Sequence, residues 1–254
     1  MKVQAIALTT FREAVRDKIL YTLLFFALAM IAASAVIADL TIGEYGKIIR
    51  DLGLAAIDLF GLMIAIFVGI GLVYKEIERK TIYTIASKPI ARWQFLLGKY
   101  LGLVMTLGAE VLVMTVGFLV QLQLTGAGTT GALIPAIWLI FVELLVVTAV
   151  AILFSSFTTP MLSALFTLGI TVVGRLTAQL KELSEAGDAP GLELVASGIY
   201  RLVPDLATFD IRTEAAYGRP VDWEYVGYAT GYGLLWTAVL LAIGTVVFQY
   251  RDFK

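Results

Sequence analysis

The stretch "ALIPAIWLIFVELLVVTAVAILF", residues 132–154, decides the fold class of this chain. It runs for 23 residues with a single charged side chain, Glu143. A helix needs about 20 consecutive apolar residues to cross the hydrocarbon core of a bilayer. The stretch therefore predicts a membrane-spanning helix.

The composition of the whole chain also indicates a membrane protein. Of its 254 residues, 59% are hydrophobic and only 15% are charged, whereas soluble domains carry about 25% charged residues. The sequence contains neither cysteine nor histidine, which excludes disulfides, thiolate nucleophiles and histidine-ligated metal sites. It also lacks the Walker pattern of a phosphate-binding loop. We therefore expect no enzyme activity, cofactor or metal in this chain.

Five further apolar blocks predict an all-α polytopic membrane protein with a single transmembrane domain, residues 1–254. The six predicted spans are 19–38, 52–74, 101–124, 132–154, 161–176 and 225–248. Only "SSFTTP" separates the fourth span from the fifth, so a single re-entrant unit is an alternative for that stretch.

Residues 1–18 precede the first span and have a pattern of their own. Apolar residues in Val3–Val15 recur at helical spacing, which predicts an amphipathic helix lying in the membrane interface. The sequence "AASA", residues 32–35 in the first apolar block, resembles a signal-peptide cleavage site. However, the segment before the apolar block is long and contains Glu13 and Asp17, so we expect no cleavage there.

Basic residues are concentrated on one side of the predicted topology. The N-terminal segment, the loop 75–99 and the C-terminal tail together hold twelve of the 19 Lys and Arg residues. Because basic loops remain in the cytoplasm, we predict that both termini and this loop are cytoplasmic, in a multi-pass protein of the plasma (inner) membrane. The loop 177–224 then lies outside, and we expect it to cap the outer mouth.

Three acidic residues lie inside predicted spans. Glu110 and Glu143 differ in depth by only about 5 Å, because the third and fourth spans form a hairpin. An acid in a membrane helix is costly and is a candidate for function. Both are therefore predicted gating or transport residues, with structural hydrogen bonding as the alternative. Asp58 lies nearer the outer end of its span, which favours a structural role.

The loop after the second span carries eight charges in "YKEIERKTIYTIASKPIARWQFLLGKY", residues 74–100. Glu76 and Lys80 have the spacing and order of a stabilising helix pair, and Pro89 ends the helix. The segment predicts a short amphipathic helix whose charged face binds a protein partner. A helix that only spaces the two spans is the alternative.

This loop resembles the first cytoplasmic loop of ABC-2 type transporter permeases. An E-x-E-x-x-T segment is followed by "SKPIAR" and "GKY", and both "VPDLATFDIRTEAAYG" and the tail "YGLLWTAVLLAIGTVVFQYRDFK" are similar to the same family. The resemblance covers the whole chain. It implies a membrane subunit that dimerises and is driven by a separate ABC ATPase subunit, on which ATP and Mg would bind.

The resemblance further implies that the loop contains a cytoplasmic coupling helix between spans two and three. By position, the residues that contact the ATPase would be Glu76, Glu78, Arg79, Lys80, Thr81 and Tyr83. The expected function is an exporter permease, or a subunit that passes mechanical work to an outer-side partner protein; no nucleic-acid partner is expected. An ion-coupled carrier or an intramembrane enzyme, either using Glu110 and Glu143, is the alternative.

Overall fold

The computed structural model describes residues 2–41, 43–78, 91–177, 179 and 203–250. These residues form eight α-helices and one 3₁₀ turn, without a strand, in agreement with the all-α prediction. Thr177 and Gln179 are also helical but border residues that are not described. The helices are α1 (Lys2–Ala14), α2 (Lys18–Asp39), α3 (Tyr45–Glu78), α4 (Arg92–Thr125), α5 (Leu133–Ser155), α6 (Pro160–Arg175), α7 (Arg212–Tyr217) and α8 (Trp223–Tyr250), and the 3₁₀ turn is Ala207–Phe209.

Among the described residues, five helices are long and apolar enough to cross a membrane: α2, α3, α4, α5 and α8. Helix α6 is apolar but has only 16 residues, which is about 24 Å of helix against a hydrocarbon core of about 30 Å. The predicted span 161–176 therefore corresponds to α6, a helix shorter than a membrane crossing requires. The count of six spans is not confirmed. Helices α5 and α6 are separate, with Pro160 at the start of α6.

Helix α5 is the centre of the bundle. In its most apolar window 72% of the residues are buried, against 28% for α2 and for α8. The outer helices instead expose large apolar side chains, such as Phe25 (67%) on α2 and Leu235 (66%) on α8. Such a surface is unfavourable in water and suits contact with lipid.

One end of the bundle, called the terminal end, joins the start of α4 to the last turn of α8. The rings of Phe95 and Phe248 stack with their centroids 6.1 Å apart. Arg92 Nη1 donates hydrogen bonds to the backbone oxygens of Phe248 (3.0 Å) and Gln249 (2.6 Å). Helix α1 also lies at this end, where it packs against the start of α4.

The opposite end, called the hairpin end, is built around the turn from α4 to α5. Helix α4 ends at Gly126, whose φ of 66° is a left-handed conformation that glycine adopts without strain. Arg50 on α3 donates to the backbone oxygens of Ala127 (2.7 Å) and Ala216 (3.0 Å). This arginine therefore ties α3 to the turn and to the short helix α7.

Helices α3 and α4 extend further than a membrane requires. Each has 34 residues, or about 51 Å, whereas the hydrocarbon core is about 30 Å thick. The structure begins α3 at Tyr45 and α4 at Arg92, both earlier than the predicted spans 52–74 and 101–124. The ends of α3 and α4 that flank residues 79–90 lie at the terminal end.

Helix α1 packs lengthwise against the first turns of α4. A Cβ atom at Gly98 would lie 2.7 Å from Ile6 Cβ, and one at Gly102 would lie 2.5 Å from Thr10 Cβ. Real Cβ atoms do not approach so closely, so the seam depends on both glycines. The pair Gly227 and Gly231 has the same spacing on α8, but a Cβ at either position would meet open space.

We predict that Gly102→Ala destabilises the protein by about 1–3 kcal/mol, because the new methyl group overlaps Thr10 in a packed seam. The matched control is Gly231→Ala, which adds the same methyl group to the open face of α8. That variant should be neutral or slightly more stable, since alanine favours helix more than glycine by about 1 kcal/mol. Thermal unfolding of the purified proteins in detergent compares them. Equal midpoints for the two variants would contradict the observed seam.

Candidate functional site

Charged side chains from four helices meet midway along the bundle. The carboxylate of Asp58 on α3 accepts hydrogen bonds from two arginines: Arg175 Nη2 at 2.5 Å and Arg212 Nη1 at 2.7 Å. Arg175 Nε also donates to Glu143 Oε1 on α5 at 2.8 Å. We call Asp58, Glu143, Arg175 and Arg212 the charge cluster.

The charge cluster continues toward the hairpin end through Asp210, just before α7. Arg212 donates to this carboxylate from Nε at 2.8 Å and from Nη2 at 2.6 Å. These hydrogen bonds hold the pKa of Asp210 below its ordinary value and raise the pKa of Arg212. Both side chains are therefore ionised at neutral pH, and the Asp210–Arg212 pair fixes the guanidinium that reaches Asp58.

Burial makes the partners of the cluster obligatory. Asp58 is 2% exposed and Glu143 is 3% exposed, so bulk water does not hydrate either carboxylate. An ionised carboxylate in such surroundings is tolerated only when it is paired and hydrogen-bonded. The side chains of Arg175 and Arg212 keep 30% and 25% exposure, so they form the accessible side of the cluster.

The end of α6 is held by the segment that follows the undescribed part of the outer loop. Leu206 N donates to the backbone oxygen of Gly174 at 2.9 Å. Thr177 Oγ1 donates to Asp205 Oδ1 at 2.5 Å, and Asp205 N donates to the hydroxyl of Tyr232 on α8 at 2.8 Å. Backbone groups at a helix end inside a membrane need such partners, and here the returning chain supplies them.

A second set of contacts holds α7 at the hairpin end. Thr130 Oγ1 in the turn before α5 donates to the backbone oxygen of Ala215 at 2.9 Å. The ammonium of Lys47 lies 4.0 Å from the centroid of the Tyr217 ring, a cation–π contact. Together with Arg50 and Arg212, these contacts attach α7 to α3 and to the hairpin, so α7 closes this end of the described bundle.

Glu110, the other acid predicted for gating, lies outside the charge cluster. It is 4% exposed on α4, and neither carboxyl oxygen has a hydrogen-bond partner among the described residues. Glu143, by contrast, is bound by Arg175. The two acids occupy different surroundings and do not form a pair in this conformation.

A comparison with protein families decides what kind of protein carries this arrangement. A family model described as "ABC-2 family transporter protein" matches residues 4–253, nearly the whole chain. The chain belongs to the ABC-2 transporter family. No curated protein sequence matches it. As an ABC-2 family member the chain is a multi-pass membrane component of a transporter.

Most of the coupling residues predicted for this ABC-2 family chain lie outside the described residues: Arg79, Lys80, Thr81 and Tyr83. Glu76 and Glu78 are in the last turn of α3, whose side chains are not described. Their proposed role stays a prediction. What the structure does show is that α3 continues as helix through Glu78 without a break at the end of the predicted span.

The sequence reasoning missed the two arginines that define the charge cluster. Arg175 closes an apolar block, and an arginine there has the same cost as the acids in the other spans. That cost was a signal that Arg175 needs an acidic partner. Arg212 carried no such signal, because it lies in a polar loop. Asp58, interpreted as structural, is the residue at which both arginines of this ABC-2 family chain converge.

We predict that Arg175→Gln lowers stability by up to about 3 kcal/mol, because it leaves two buried carboxylates short of a partner. Combining it with Glu143→Gln should cost less than the sum of the two single changes, as expected for residues in contact. Thermal unfolding in detergent of the four proteins gives the coupling. The control is Arg219→Gln, an exposed arginine near α7 that lies outside the cluster. Additive effects of the two changes would contradict a direct ion pair.

Proposed function

We propose that this chain is the membrane-spanning permease subunit of an ATP-driven transporter, acting as a dimer with a separate ATPase subunit. The observation that carries the proposal is the family match over residues 4–253. The sequence itself has no Walker pattern, so the energy must enter from another protein. The cytoplasmic loop 75–99, with its coupling residues, is the proposed docking site.

The length of α3 and α4 supports docking at that place. The two helices that flank the loop each exceed the hydrocarbon thickness by about 20 Å. Each helix is continuous from the loop into the bundle, so we propose that a force on the loop is carried into the bundle. Helix α3 also carries Asp58, which connects the proposed docking site to the charge cluster.

The geometry offers less support for an ion-coupled carrier. That alternative uses Glu110 and Glu143 for protons, but Arg175 binds Glu143 at 2.8 Å, and Glu110 lies apart from both. The two acids therefore do not form a joint site in this conformation.

The proposed orientation places the terminal end in the cytoplasm and the hairpin end outside. The chain has no cysteine, so single cysteines can be introduced without background. Thr129→Cys, in the turn before α5, should react with a membrane-impermeant maleimide in intact cells. Thr159→Cys, after the end of α5, should react only after the membrane is opened, because basic loops remain inside. The reverse labelling pattern would contradict the orientation.

We predict that Glu76→Lys combined with Glu78→Lys lowers recovery of the ATPase subunit and uncouples ATP hydrolysis from transport. A single exposed charge pair contributes only about 0–1 kcal/mol, whereas reversing two charges adds repulsion. The permease should stay in the membrane as a folded dimer, because its helices are held by packing in lipid. Co-purification at matched expression, over a salt series, measures the loss.

The matched control is Asp39→Lys combined with Glu44→Lys. It makes the same change of charge on two exposed residues at the hairpin end, away from the proposed docking site. Arg79→Glu combined with Lys80→Glu reverses two basic residues of the loop and tests the opposite change of charge. The docking role is wrong if the loop variants keep the ATPase as well as the control does and hydrolysis stays coupled.

A further inference from the structure

Glu110 lies near the middle of the buried face of α4, which runs from Phe95 to Leu122. It is 18 residues from the start of the helix at Arg92 and 15 from its end at Thr125, or about 27 Å and 22 Å along the axis. Thr106, one turn before it, is 1% exposed, and Met114, one turn after it, is fully buried. The side chain therefore has neither lipid headgroups nor bulk water within its reach.

The surroundings of the carboxyl offer it no compensation. Both oxygens are buried, and neither has a hydrogen-bond partner in the part of the chain that the structure describes. A void lined by Thr106 and Leu107, one turn away, has no room for the centre of a water molecule, and a bridging water needs that room and polar partners. This void therefore holds no water that could bridge to the carboxyl.

The charge cluster shows what an ionised acid requires in the same bundle. Asp58 and Glu143 are as buried as Glu110, and each is bound by at least one guanidinium. An ionised carboxylate without such a partner is far more costly to bury than a neutral acid. The difference between the acids lies in their partners, since their exposures are alike.

We propose that Glu110 is a proton-binding site inside the membrane bundle, and that it is carried in this conformation as a neutral carboxylic acid. A neutral acid has one O–H donor, so the ligand it can take is a hydrogen-bond acceptor such as a hydroxyl or carbonyl oxygen. The proposal places this proton on Glu110 and not on Glu143, whose Oε1 accepts a hydrogen bond from Arg175. The two glutamates are equally buried and differ in the presence or absence of an arginine partner.

Infrared spectroscopy of the full chain tests this directly. In a detergent without ester groups at neutral pH, the C=O stretching band of a protonated carboxylic acid is separate from the amide and carboxylate bands. The band should be present in the wild-type protein, lost in Glu110→Gln and kept in Glu143→Gln. Absence of the band from the wild-type protein, or its survival in Glu110→Gln, would overturn the proposal.

A second variant covers the case in which Glu110→Gln fails to fold. With glutamate labelled by carbon-13 at the side-chain carboxyl, the wild-type band should shift. In Glu110→Asp, which keeps a carboxyl at this position, the band should remain but no longer shift. A band that still shifts in Glu110→Asp would assign the proton to another glutamate and refute the proposal.

Stability provides an independent readout. Glu110→Gln replaces a neutral acid by a neutral isostere and should leave the unfolding midpoint close to that of the wild-type protein. Glu143→Gln leaves Arg175 with one partner fewer and should lower it clearly. Equal losses in the two variants would indicate a charged, partnered Glu110. None of these measurements involves an ATPase, so their outcome is separate from that of the proposed function.

Discussion

The carboxylate of Asp58 is the contact on which the hairpin half of the bundle depends. Its two oxygens bind guanidinium groups from Arg175 and Arg212, at the end of α6 and the start of α7. In a low-dielectric interior the loss of hydration is compensated only when every charge meets its partner at hydrogen-bonding distance. One side chain on α3 therefore binds both the end of α6 and the start of α7.

The end of the short helix α6 meets the same constraint. Arg175, its last residue, binds Asp58 and Glu143. Leu206 and Asp205 then supply backbone and side-chain groups that bind Gly174 and Thr177 at the end of α6. Irregular backbone is tolerated at membrane depth only where protein supplies the hydrogen bonds, and here it does so.

The long apolar blocks were sufficient to predict most of the fold. Spans such as 132–154 are determined by local composition, because hydrocarbon accepts only helices with satisfied backbones. Contacts between distant segments were not predictable in this way. Asp58 and Arg212 are separated by 154 positions, and nothing in either local sequence names the other. The Asp58 prediction assumed a helix start near Leu52, whereas α3 begins at Tyr45, so the residue lies 13 positions and not six from the start of its helix.

The glycine pairs show the same limit. Gly98 and Gly102 have the same spacing as Gly227 and Gly231, and the sequence pattern treats them alike. In the structure the first pair receives α1, while the second meets nothing in the described chain. Spacing indicates where close packing is possible, but only the fold determines whether a helix is there to pack.

Under the proposed function, the position of Asp58 on α3 has a mechanical consequence. About 30 Å of continuous helix connects Asp58 to Glu78, which lies in the proposed docking loop. A displacement applied at the loop would therefore reach Asp58 along one helix. The ion pairs of the cluster are directional, so a shift of α3 along its axis exchanges or breaks them and does not stretch them gradually. Under the proposed function, the cluster would pass motion of α3 to α7, because Asp58 on α3 binds Arg212 at the start of α7.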